Sequence, residues 1–141
     1  MMAKHYQYPE GRFVEKPYEI ISNFGPAGAL AASAGSMERF GRALLNGGEL
    51  DGGRILQPET VQRFLDQDFS HHPETRGMGL GTIHYPYNGI NVVGHDGGTT
   101  TFVSHFGLAP EEGFLFYVSF NGPAAAGIVY EPVSYTHLRA H

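Results

Sequence analysis

The residues best suited to chemistry lie in one glycine-rich run, Gly94-His95-Asp96-Gly97-Gly98-Thr99-Thr100-Thr101-Phe102. Small residues at the end of a strand let a bound molecule approach the backbone closely. An amide N–H presented there could donate to a developing oxyanion, which contributes roughly 10²–10³ in rate where it operates. The plainer alternative is a strand connection with a solvated histidine.

Serines must be weighed as nucleophiles. Ala31-Ala32-Ser33-Ala34-Gly35 is one residue short of Gly-x-Ser-x-Gly, the nucleophile elbow of α/β-hydrolases. On that reading Ser33 pairs with His95 or His105 and an acid such as Asp51. The elbow needs a strand before it, and Gly28 to Ala32 make a poor one. Capping of the following helix explains Ser33 with no further assumption. The eight histidines raise a metal hypothesis, but no His-x-Glu-x-x-His or Cys/His spacing occurs. His71 and His72 are adjacent and point apart in an extended loop. No metal site and no cofactor are expected.

The elements that position these residues can be read from patterning. With 141 residues, 41% hydrophobic and 16% charged, the chain fits one globular domain with a sizeable core. The net charge of −5 and the lack of a Lys/Arg cluster exclude a nucleic-acid footprint. Cysteine is absent, which rules out disulfides and thiolate chemistry. No apolar run of about 18 residues is present to span a membrane.

Residues 1–28 read as an irregular arm. A helix is predicted over 34–46: Met37, Phe40 and Leu44 fall on one face, Ala43 widens it, Ser33 or Ser36 caps it, and Asn46-Gly47-Gly48 stops it. A second helix starts at Pro58 with Val61, Phe64 and Leu65 buried. Asn88-Gly89 between two extended runs marks a hairpin, whose register sets His84 opposite Val93. A second strand pair, 102–109 and 114–120, turns through Pro110-Glu111-Glu112-Gly113. The run Phe114 to Val118 is apolar on both faces, which predicts a central strand covered on both sides. The phenylalanines of these strands read as core. Helices over an antiparallel meander give a layered α/β or α+β fold.

The order of these segments carries more than any one of them. Gly28 to Phe40, Ala43 to Gly48, Ile55 to Thr60, Gly79-Leu80-Gly81, Gly94 to Gly98 and Val118 to Asn121 form a set that resembles the later part of the β-lactamase-related serine hydrolases. That group includes class C β-lactamases, D-alanyl-D-alanine carboxypeptidases and esterases. The resemblance spans about residues 6–127, and it implies a β-lactamase/transpeptidase-like sheet flanked by helices.

Such proteins use a Ser-x-x-Lys, a Tyr-x-Asn or equivalent, and a Lys-Thr-Gly or His-x-Gly on a strand. His95-Asp96-Gly97 looks like the third motif. The resemblance implies that His95 lines a cleft, that Gly98 offers its amide to an oxyanion hole alongside Gly97, and that Asp96 and Thr99 meet substrate. The first motif is missing: the residues three before Lys4 and Lys16 are Met1 and Phe13. The chemistry needs that pair because a serine hydroxyl is weak until a neighbouring base accepts its proton. Tyr6-Gln7-Tyr8 and Tyr85-Pro86-Tyr87 lack the asparagine of the second motif.

The expectation is therefore a C-terminal portion of one domain over 1–132, without its nucleophile and base and without the N-terminal half of that domain. Residues 133–141 form a tail that resembles adaptor read-through. The implied parent acts through an acyl-enzyme on an ester, amide or β-lactam, with a small-molecule or peptidoglycan-like substrate. A non-catalytic ligand- or partner-binding module on the same fold is the alternative. Localisation stays open.

Overall fold

The computed structural model describes residues 3–23, 25–72, 75–87, 89–122 and 127. In chain order these form β1 (His5–Gln7), β2 (Val14–Lys16), α1 (Gly25–Gly28), α2 (Ala34–Leu45), β3 (Glu49–Leu50), β4 (Gly53–Arg54), α3 (Pro58–Leu65), β5 (Gly77–Met78), β6 (Ile83–Tyr87), β7 (Ile90–Gly98), β8 (Val103–Ala109) and β9 (Phe114–Phe120). Strands β5 to β9 make a five-stranded antiparallel sheet in sequence order. The mixed α+β architecture agrees with the layered fold expected from patterning.

Two of the four hairpins in the sheet follow from the turns expected for them. Tyr87 pairs with Ile90, and Gly89 takes the positive φ that a two-residue loop demands. His84 accordingly stands opposite Val93, as the counting required. Asn88 lies outside the described residues. At the other hairpin Gly113 adopts φ 69° and its amide bonds to Ala109 O at 2.9 Å, closing the four-residue loop.

α2 begins where the capping argument places it: Ser33 Oγ accepts from the Ser36 amide at 3.1 Å. It ends as Gly47 and Gly48 turn to positive φ, with Gly48 N–H donating to Ala43 O at 2.7 Å. Its inner face is made by Gly41, Ala43 and Leu44. Phe40, placed on the apolar face by its spacing, is 37% exposed, and its ring meets Phe106 at 5.9 Å. Gly41 is what the stripe missed. A Cβ there would stand 2.9 Å from Leu115 Cδ2 and 3.2 Å from the Phe106 ring, so its absence lets α2 settle onto β8 and β9.

Residues that pair across an antiparallel sheet share a face. Phe106, Leu108 and Leu115 therefore line the helix-covered front, where Leu108 joins Leu44 of α2 and Val61 of α3. The back carries a second cluster of Tyr85, Val92 and Ala109 with Phe116 packed on it.

Two expectations are corrected. β9 is the edge of the sheet among the described residues, not a central strand, and most of it is half-buried. An apolar run reports that both faces want cover, but not what supplies it. The arm is also more ordered than its irregular pattern suggests: β1 and β2 pair, with His5 opposite Lys16, around a turn at Pro9–Gly11. The arm is clasped to the end of β9 by Tyr6 N–H to Asn121 O at 3.2 Å and Asn121 Nδ2 to Lys4 O at 2.8 Å. Farther along, it leaves Phe13 at 78% and Ile20 at 84% exposure, and Leu30 just beyond it is 81% exposed. The tail over 133–141 lies outside the described residues.

Candidate functional site

The pairing of β6 with β7 ends at Ile83↔Gly94, whereas β8 follows β7 out to Gly98↔Val103. Residues 95–98 thus form an overhang held along one edge only. Thr99 N–H donates to Phe102 O at 2.8 Å, so it points toward β8. N–H directions alternate along a strand, so the Gly98 amide points the other way, to the edge that β6 has left. Among the described residues this backbone donor has no acceptor, and it belongs to a residue with no side chain to crowd it.

Side chains of the overhang alternate as well. His95 pairs with Phe106 and shares the helix-covered face, where it is exposed. Its Nδ1 lies 2.5 Å from the Asp96 carbonyl oxygen. A carbonyl only accepts, so in the neutral ring that contact is made by an Nδ1 proton, with Nε2 as the acceptor. Gly97 stands opposite Ser104.

Asp96 faces the other way. Its side chain, 17% exposed, lies on the back of the sheet opposite His105. Tyr85 donates its hydroxyl to Asp96 Oδ2 at 2.8 Å. His105 Nδ1 stands 2.5 Å from Oδ1, off the line of a hydrogen bond. Tyr85 and Phe116 pack on the His105 ring, and the Arg76 guanidinium sits 4.8 Å from the Tyr85 ring centre. The expected site residues are therefore split: His95 and the Gly98 amide share one end of β7, while the Asp96 carboxylate is spent behind it.

Thr99 organises the turn. Its Oγ1 accepts from the amides of Thr101 and Phe102, both at 3.1 Å. From the arm, Glu19 Oε2 accepts from Thr100 N–H at 3.1 Å. The Glu19 carboxyl is held below its usual range: desolvation pushes it up, and the bonds from Thr100, Thr99 and Thr101 outweigh that push.

Burial pushes the His105 imidazole below its usual range; Asp96 opposes this, and Arg76 and His95 add to it. The unfolded chain then binds more protons than the folded one once pH falls below about 6.5, the ordinary value for histidine. Stability is expected to be complete above that pH and to decline on acidification until the lowered folded value is passed. The Glu19 contribution is lost separately, below the ordinary carboxylate range. Urea midpoints between pH 7.5 and 5 check this; a parent chain with no slope there, or a slope kept in His105→Gln, contradicts it.

The rival arrangement is not assembled. Ser33 Oγ is engaged with Ser36, Asp51 bonds Arg39 at 2.9 Å, and His105 faces Asp96. The residues before Ser33 form α1 and a connection, not the strand that an elbow needs. Sequence reasoning missed the Tyr85–Asp96–His105 cluster, although the pairing of Asp96 with His105 could have been counted outward from the Thr99–Phe102 turn.

A family model described as Beta-lactamase matches residues 2–130. Among solved structures the chain is similar to the octameric penicillin-binding protein homologue from Pyrococcus abyssi, at 24% identity and a TM-score of 0.68, over 85% of this chain and 27% of that one. It is also similar to a D-stereospecific amidohydrolase from Streptomyces sp., at 27% identity and a TM-score of 0.49, over 62% of this chain and 24% of that one. The chain thus spans about a quarter of the length of these proteins. No curated protein matches it. The match over nearly all of the sequence, on a fold shared with a penicillin-binding protein homologue, is decisive: this chain belongs to the Beta-lactamase family.

Proposed function

We propose that this chain supplies one wall of the acyl-transfer cleft of a serine hydrolase, with the nucleophile and its base provided by sequence outside these 141 residues. The observation that carries the reading is the β7 overhang. It presents the Gly98 amide to an unpaired edge and His95 to the helix-covered face of the same strand end. In this role the Gly98 N–H donates to the oxyanion of a tetrahedral intermediate, and His95 Nε2 accepts from substrate or from a catalytic hydroxyl. Gly97 keeps the approach open, and Thr99 shapes the turn beyond it. The reaction is attack of a serine hydroxyl on an ester, amide or β-lactam carbonyl, followed by hydrolysis of the acyl-enzyme. A small molecule or a peptidoglycan-like peptide is the matching substrate class.

Ser-x-x-Lys is missing from the sequence, and loss of the nucleophile from a coupled catalytic set costs about 10⁶ in kcat in subtilisin. The purified chain is therefore expected to leave nitrocefin and p-nitrophenyl esters untouched and to resist labelling by a fluorescent penicillin. Turnover above that of Ser33→Ala would instead identify Ser33 as a nucleophile and overturn the reading. The same missing motif favours a second reading, a ligand-binding module without catalysis. In-frame coding sequence on the 5′ side of Met1 separates the two. A Ser-x-x-Lys and a tyrosine motif there support the enzyme; other residues at those positions support the binding module.

A further inference from the structure

The overhang of β7 poses a mechanical problem. Four residues, two of them the consecutive glycines Gly97 and Gly98, extend past the end of β6 with one ladder edge unpaired. Glycine backbone has the most conformational freedom to lose on ordering. The Thr99–Phe102 turn, with Glu19 on Thr100, holds the far end of the hairpin, but the stretch before it frays on its unpaired side unless a side chain restrains it there. Asp96 lies in the middle of the overhang, and its carboxylate reaches back to the hydroxyl of Tyr85, a residue of the very strand whose ladder has stopped. Tyr85 is 1% exposed, and its ring is wedged between Tyr87 and His105, so its hydroxyl is a fixed point. Burial and the Asp96 carboxylate push its phenol well above the usual range, so it remains a donor at ordinary pH.

We infer that Tyr85 and Asp96 are positioning residues: their side-chain hydrogen bond on the back of the sheet replaces the missing β6–β7 pairing and holds the strand end that carries His95 and the Gly98 amide. Side chains alternate along a strand, so a restraint applied behind the sheet at residue 96 fixes the residues on both sides of it without occupying the front. The catalytic consequence rests on the acyl-transfer reading above; the tether itself does not.

The test is amide hydrogen exchange on the isotopically labelled full chain. The amides of Val93, Gly97 and Thr99 share one direction, toward β8, and so report along a single ladder. Tyr85→Phe removes one hydroxyl and keeps the ring. It is expected to lower protection at Gly97 and Thr99 about tenfold, the value of one hydrogen bond to a charged group, while Val93 stays within about twofold. Asp96→Asn retains an acceptor oxygen for the Tyr85 hydroxyl and is expected to keep most of the protection that Asp96→Ala loses. Unchanged exchange at Gly97 and Thr99 in Tyr85→Phe overturns the tether. So does an equal loss at Val93, which would make the bond a general stabiliser, or equal loss in the Asn and Ala variants. A tethered chain whose parent lacks a nucleophile would leave this inference standing and remove the catalytic one.

Discussion

Gly94→Ala is expected to lower the unfolding free energy by about 3 kcal/mol, at the upper end of what overpacking usually costs. A Cβ at this position would collide with the carbonyl oxygen of Phe106 and stand 2.9 Å from both Phe106 C and Gly107 Cα. All three are backbone atoms of the neighbouring strand, so no rotamer change relieves the contact, and β7 and β8 must move apart at the centre of the sheet. Gly107, directly opposite, is constrained for a related reason: the Phe116 ring lies 2.5 Å from where its Cβ would be. Gly107 leaves the space that this ring occupies on the back of the sheet. Gly97→Ala is the control, because its nearest obstacle is the Ser104 hydroxyl at 3.0 Å, which can rotate away. Urea titration of both variants decides the matter. A Gly94→Ala chain within about 1 kcal/mol of the parent would mean that the strands separate more easily than close packing allows.

Leu108→Ala is expected to cost about 4 kcal/mol, toward the top of the range for a buried leucine. Leu108 is fully buried, at 0% exposure, and touches the clusters of both helices through Leu44 and Val61. It is the point where α2, α3 and the front of the sheet converge. Truncation removes apolar contact with two helices at once and leaves a cavity that rigid strands cannot close. Since small domains carry about 5–15 kcal/mol in total, the loss should show as a large fall in urea midpoint with little change in slope. Phe114→Ala, at the 39% exposed start of the edge strand, should cost far less. Equal effects would place the centre of the core elsewhere.

The residues that announce themselves in the sequence are those governed by local geometry. Ser33 caps α2 and Gly47-Gly48 ends it, because capping and positive φ are properties of a few consecutive residues. The pairing of His84 with Val93 follows from the two-residue turn, and that of Ala109 with Phe114 from the loop at Gly113. His95 and Gly98 were legible as candidates because the family pattern surrounds them in order.

What stayed hidden depends on partners distant in the chain. Nothing in Phe114 to Val118 says whether a neighbour strand lies beyond it. β2 carries Glu15 and Lys16, and neither it nor β1 has a regular apolar rhythm, so their pairing, flanked by the Lys4–Glu15 bridge at 2.8 Å, left no periodic trace. Asp96 was read as a substrate ligand from its place in a motif, whereas strand alternation sends its carboxylate behind the sheet to Tyr85 and His105. That placement requires the register of three strands at once.

The clasp between the arm and the rest has a consequence for synthesis. Lys4 waits for Asn121, 117 residues later, and Glu19 waits for Thr100, 81 residues later. Local hairpins close quickly, and contacts across such spans come last. On the ribosome the arm leaves the tunnel ahead of the sheet yet docks only after nearly all of the sheet has followed it out, so the contacts that Lys4 and Glu19 make with Asn121 and Thr100 stay unmade while β5 to β9 are synthesised.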